Sequence, residues 1–293
     1  MLLLPLYFRI QKMKTLKIAG VPEHFNLPWH LCIENGKFKE AGIDLAWTDV
    51  PEGTGKLCQM LRDGSTDIAV ILTEGIIKDI AAGNNSTIIQ VYVQSPLVWG
   101  IHVAAASPYK TLADLKSGKV AISRFGSGSH LMAFVNAKNQ GWDTGELQFE
   151  IINTLDGAIE GLTEGRADYF MWERFMTKPI VDKGIFRRVD DCPTPWPCFV
   201  IAVCNEVLEN DKEALTKILN VINQMTASFK DIPNIESVLA KRYNQKKEDI
   251  TDWLKITEWS QKKLDKNTFD KVQDQLFELN IIDKKAAFET SAE

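Results

Sequence analysis

Short apolar runs rich in β-branched residues alternate along the chain with stretches whose apolar residues recur at helical spacing. TLKIA at residues 15–19 predicts a strand, residues 28–35 a helix, IDLAWTD a strand, residues 54–62 a helix and DIAVIL a buried strand. A helix over residues 74–82 follows. Two strand-like segments come next, STIIQVYV and VWGIHVAA, parted by residues 94–97 with a proline among them, and the strand–helix order restarts at Lys119. Such alternation predicts an α/β fold, mainly parallel sheets with helices on both faces. From Lys212 onward the pattern is helical, with Leu215, Ile218, Leu219 and Ile222 on one face, a new helix after Pro233 and another over residues 268–279.

An internal echo predicts two lobes. Leu61, Gly64 and Asp67 recur as Leu162, Gly165 and Asp168, in each case where a helix ends at a glycine and a buried strand follows, DIAVIL or DYFMWE. Thr54 and Leu155 open the preceding helices. The echo places a first lobe in residues 13–105, a second in residues 106–202, and a return to the first lobe, helical towards its end, in residues 203–293. Residues 1–12 read as an extension ahead of the first convincing strand.

Composition narrows the function classes. With 45% apolar and 25% charged residues the chain has the balance of a globular protein. Thirty-four Lys and Arg against 39 Asp and Glu give a net charge of −5, so the basic field that nucleic acid requires is missing. The opening MLLLPLYFRIQK is too short to span a bilayer and lacks the flanks of a secretory signal, and no later run reaches ~20 apolar residues, so we expect a cytoplasmic chain without membrane insertion. Cys32, Cys58, Cys192, Cys198 and Cys204 are odd in number, which argues against a disulfide framework, and the six-residue spacing of the last three does not suit zinc. His24, His30, His102 and His130 form no metal motif. No metal and no cofactor are expected.

LKIAG, ENGKFKEAGIDL, LRDGSTDIAV and SRFGSGSHLMAF, in that order, resemble the type 2 periplasmic-binding-protein superfamily. Within it the chain is most similar to the branch of aliphatic sulfonate, nitrate and taurine binders and thiamine-pyrimidine precursor proteins, and there to cytosolic-type fungal and bacterial homologues. The resemblance implies two lobes joined by two crossing segments, at residues 104–107 and 199–204, with a small molecule bound between them by hinge closure. It also implies a possible transporter or other protein partner.

In open α/β sheets ligands bind beyond the carboxyl ends of the strands, a rule that needs no family. After the first strand it selects Glu23, His24 and Asn26, Asn26 being equally suited to capping the next helix. Thr54, at a helix start, offers a hydroxyl beside free backbone N–H groups. Thr73 and Glu74 stand at a strand-to-helix turn, where Glu74 also suits the positive end of the helix dipole.

The strongest local signal is the loop holding Arg124, Phe125, Ser127, Gly128 and Ser129. Its glycines admit close backbone approach, its serines and helix N-terminus donate to an anion, and Arg124 offers a bidentate partner. Trp172, Glu173 and Arg174 end a second-lobe strand and suit a flat ring bearing an amino group, unless Glu173 and Arg174 only pair with each other. Trp99 and Trp196 are further wall candidates or core residues.

Together these residues predict a solute-binding protein that closes on a small heteroaromatic, zwitterionic or anionic molecule without transforming it. The alternative is a cytosolic enzyme of thiamine-pyrimidine or menaquinone-pathway type, with Glu23, Asn26, Glu74 or Glu173 as its base. The scattered cysteines depart from the clustered cysteines and histidine expected for pyrimidine synthesis, and no GxSxG, Cys–His or metal motif appears.

Overall fold

Two five-stranded sheets carry the architecture of the computed structural model, which describes residues 15–292. The extension expected over residues 1–12 lies outside the described residues. In chain order the strands are β1 (Thr15–Gly20), β2 (Asp44–Asp49), β3 (Ile68–Leu72), β4 (Ser86–Val93), β5 (Val98–Ala104), β6 (Lys119–Ile122), β7 (Gln148–Ile151), β8 (Tyr169–Glu173), β9 (Phe186–Pro193) and β10 (Phe199–Cys204).

The first sheet runs β2-β1-β3-β10-β4 and the second β7-β6-β8-β5-β9. Each is built alike. Three parallel strands joined by helices form one side, and the fourth strand in the order runs antiparallel to both its neighbours. This is the two-lobed type 2 periplasmic-binding-protein fold, with mixed sheets in which the parallel triplets are the part the sequence pattern anticipates.

The echo is realised atom by atom. Gly64 (φ 70°) and Gly165 (φ 73°) take the left-handed conformation that ends the helices Thr54–Arg62 and Leu155–Thr163. Asp67 then accepts from the Lys17 N–H at 2.7 Å, and Asp168 accepts from the Lys119 N–H at 2.7 Å. The return bonds run from the Asp67 and Asp168 N–H groups to the Lys17 and Lys119 carbonyls. Each aspartate therefore fixes the register of the strand it opens against the middle strand of its own parallel triplet.

The chain passes between sheets earlier than the sequence pattern predicts. The crossings lie at residues 94–97 and 194–198, not 104–107 and 199–204, because β5 pairs with β8 and β9 rather than folding back on β4. Both STIIQVYV and VWGIHVAA are almost wholly buried, so their apolar pattern does not say which sheet each joins. The two crossings lie side by side: the Leu97 N–H donates to Thr194 Oγ1 at 3.0 Å, Thr194 N–H returns to the Leu97 carbonyl at 2.9 Å, and Cys198 N–H donates to the Ser95 carbonyl at 3.2 Å.

Helices Lys212–Ala227, Ile235–Arg242, Lys247–Ile256 and Lys266–Glu278 follow β10. The last segment covers the β4 edge, where Ile88 N–H donates to the Ser291 carbonyl and Val93 bridges Trp259. Among the described residues no helix is long and apolar enough to cross a membrane. The cysteines of the six-residue series separate in space, since Cys192 sits on β9, Cys198 in the second crossing and Cys204 at the end of β10.

Candidate functional site

The carboxyl ends of β1, β3, β6 and β8 converge on the space between the sheets, and the residues at or just after them, Val21, Leu72, Ser123 and Glu173, line one cavity. Each sheet places these loops there because its three parallel strands end on the same edge. An outer cavity shares Thr54, Leu72, Arg124, Ser127 and Gly128 with the inner one. The two form one cleft, narrowed where Arg124 lies over Gly55.

Of the predicted residues, Glu23, Thr54, Trp99, Arg124, Ser127, Gly128, Ser129, Trp172 and Glu173 line the inner cavity. Glu74 and Phe125 line the outer one, Phe125 with 62% of its surface exposed. Trp99 and Trp172 meet edge to face at 6.3 Å, and Trp172 stacks on Phe170 behind it at 5.4 Å. The buried Trp99 indole N–H has no protein partner.

The glycine–serine loop runs from β6 straight into the helix Gly128–Asn139. Ser127 caps the helix Gly128–Asn139, its hydroxyl accepting from the His130 N–H, and Ser129 Oγ accepts from the Ser123 N–H at 3.0 Å. A side chain at position 128 would press on the Trp99 ring, its Cβ 3.0 Å from Cη2, so glycine lets this helix start pack closely on Trp99 of its own lobe.

Carboxyl groups dominate the electrostatics. Glu173 is buried, and one of its oxygens accepts from the Met176 N–H at 2.6 Å. Burial, and then the nearby Glu23, push its carboxyl up to about 8. Glu23 is half-buried in the cavity wall, and loss of water pushes it up to about 7. Glu74 accepts from the Trp196 indole N–H at 2.8 Å, while its other oxygen is buried without a partner; burial raises it to about 7. The Cys198 thiol lies within the field of all three and is itself raised, chiefly by burial.

Five predicted residues take other places. His24 is fully buried against Trp253, 4.2 Å between rings, and burial drives its imidazole down to about 3, leaving it neutral. Asn26 occupies the helix N-cap position without a side-chain cap bond; its amide donates instead to the Val21 carbonyl at 2.8 Å. Thr73 donates to the Cys198 carbonyl at 3.3 Å and so braces the second crossing. Arg174 turns away from the cleft to pair with Asp191 at 3.1 Å and lie over the Phe175 ring. Trp196 reaches the site only through Glu74.

The lining also includes residues the strand-end rule did not select. Lys78 follows Glu74 by one helical turn, so adjacency was its available signal. Leu276 and Ile281 reach the outer cavity from the C-terminal segment and carry no local signal at all.

Comparison with known proteins places this geometry in context. The family model of the Ca3427-like PBP matches residues 99–192. A putative aliphatic sulfonates-binding protein of Escherichia coli (strain K12) is 28% identical over 145 residues, which span 48% of this chain and 44% of that protein's own length. The solved structure of the Candida albicans CA3427 gene product, described as defining a new family with the generic periplasmic binding protein fold, superposes with a TM-score of 0.84. It is 27% identical, over 94% of this chain and 92% of that one. The periplasmic aliphatic sulphonate binding protein SsuA of Escherichia coli shares the fold at a TM-score of 0.75 and 19% identity, over 95% and 97% of the two chains. Sheet order, the paired crossings and these likenesses together make the chain a member of the type 2 periplasmic-binding-protein superfamily.

Proposed function

We propose that this protein is a solute-binding protein that holds a small heteroaromatic or zwitterionic molecule between its lobes and does no chemistry on it. The observation that carries the reading is the inner cavity. It is lined by two tryptophans, by the carboxyls of Glu23 and Glu173, by Arg124 and by a serine-rich helix start. The relatives named as sulfonate binders support the general role, and the aromatic and acidic wall favours a ligand with more than a bare anionic group.

Native mass spectrometry of protein purified without dialysis tests this reading, followed by scattering and thermal-shift measurements with the retained compound. The expected result is a retained small molecule that compacts the protein and raises its Tm by mass action. Retention abolished by neither Arg124→Ala nor Trp172→Ala would sink the cleft assignment.

A second reading, an enzyme on the same scaffold, draws support from Glu23 and Glu173, whose carboxyls titrate near neutral pH as a general acid or base requires. Conversion of the retained compound over many turnovers would establish it in place of simple binding.

A further inference from the structure

The inner cavity carries an unbalanced charge. Three carboxyl groups, Glu23, Glu52 and Glu173, line it against the single guanidinium of Arg124. Arg174, the guanidinium that acts on Glu173, is committed to Asp191. Glu74, buried like Glu173, lies near Cys198, and the Tyr243 hydroxyl lies within the field of Glu23 without a hydrogen-bond partner of its own. Carboxylates gathered in a water-poor site repel one another, so in the free protein protons occupy some of them. A ligand that brings its own positive charge removes the need for those protons.

We propose that Glu23 and Glu173 form a paired-carboxylate subsite that takes the N–H edge of a planar nitrogen cation, an amidinium or a protonated amino-substituted heteroaromatic ring, with the ring held against Trp99 and Trp172. Both carboxyls and both indoles line the same cavity. The Met176 N–H fixes Glu173, so the carboxylate is already oriented. Two parallel N–H···O contacts and a cation over an aromatic face are the interactions such a group makes best. Arg124, Ser127 and Ser129, which line the same cavity, are left for an acceptor or anionic end of the same molecule. The inference rests on the cleft-binding reading and narrows its ligand class: recognition is led by the cationic end, and a simple alkanesulfonate lacks it.

Isothermal titration of the full chain with benzamidinium, with butanesulfonate as comparison, tests the subsite. Benzamidinium is expected to bind with net proton release at pH 7, seen as a binding heat that varies with the buffer's ionisation enthalpy. Its affinity is expected to climb by roughly tenfold or more between pH 6 and pH 8 as competing protons leave. Glu173→Gln and Glu23→Gln should each weaken it by roughly tenfold or more, and neither should weaken butanesulfonate.

Absence of benzamidinium binding, binding unaffected by both glutamine variants, or binding without proton release would each overturn the subsite. If the protein nevertheless retains a compound that compacts it and depends on Arg124, the cleft-binding reading stands and only the cationic subsite falls. If that retention too ignores every cleft substitution, the broader reading fails with it.

Discussion

Lys78, on the helix Thr73–Ala81 of the first lobe, donates to the main-chain carbonyl of Gly126 in the second lobe, 2.9 Å across the mouth of the outer cavity. Gly126 takes a φ of 76°, a left-handed conformation that turns its carbonyl loop toward the helix, and a Cβ there would lie 2.6 Å from Lys78 Nζ. The contact joins the lobes without touching the inner cavity. Lys78→Ala should therefore leave folding intact and weaken ligand binding by roughly two- to tenfold, the span expected for one lost hydrogen bond. Scattering of the liganded variant should show a more open average shape; an unchanged profile and affinity would mean that the bond is incidental to closure.

A second tie sits where the C-terminal helices meet the helix Lys178–Asp182. Lys246 pairs with Asp182 at 2.7 Å, Lys178 with Asp249 at 3.6 Å, and Lys178 also with Asp182 on its own helix. These groups lie near the surface, so salt screens them. We expect ligand affinity to fall as salt rises from 50 to 500 mM, and Asp182→Asn to flatten that dependence while changing the fold little. Parallel salt curves for variant and parent would show that the pairs do not report closure.

How far the site was legible in the sequence follows from which contacts are local. The glycine–serine loop could be read because a strand, a turn and a helix start lie within a few residues, and the capping by Ser127 is a short-range property. Asp67 and Asp168 could be paired because the same strand-opening bonds are made twice. His24 could not be placed: it sits in a polar loop, but Tyr243 and Trp253, from helices far along the chain, bury it. Arg174 misleads for a similar reason, since its partner Asp191 lies on β9, a strand whose neighbour in the sheet the apolar pattern does not specify. The misplacement of β5 has the same cause. Burial on both faces announces a strand without naming its sheet.

The buried carboxyls make a prediction about stability and pH. Glu23, Glu74 and Glu173 hold their protons to about pH 7–8 in the folded chain but only to about 4.5 when unfolded, so between those limits the folded state binds more protons. Their contribution is fully present below pH 4.5 and is lost as pH rises through 7 to 8. His24 and His102, held neutral by burial down to about 3 and 4, act in the opposite direction, but mainly below pH 6.5, where the unfolded chain takes up their protons. Between pH 7 and 8.5 the glutamates dominate. The ligand-free protein should lose stability there, by at most about 1.4 kcal/mol per pH unit for each extra proton bound, and Glu173→Gln should flatten the slope. Thermal unfolding across that range reads it directly, and a Tm that rises with pH would contradict the assignment.

Gly55 separates folding from binding most cleanly. It lies in the first turn of the helix Thr54–Arg62, and a Cβ there would collide with an Arg124 guanidinium nitrogen. The obstructing atom is the end of a long side chain, so Gly55→Ala can be accommodated, but only by moving Arg124 off its present seat between the two cavities. Alanine is also the better helix former by up to about 1 kcal/mol. The substitution should therefore keep or raise Tm while lowering ligand affinity, and Arg124→Ala combined with it should add little further loss, because both changes remove the same contact. Full additivity of the two losses would show that Gly55 acts on the site by some route other than the position of Arg124.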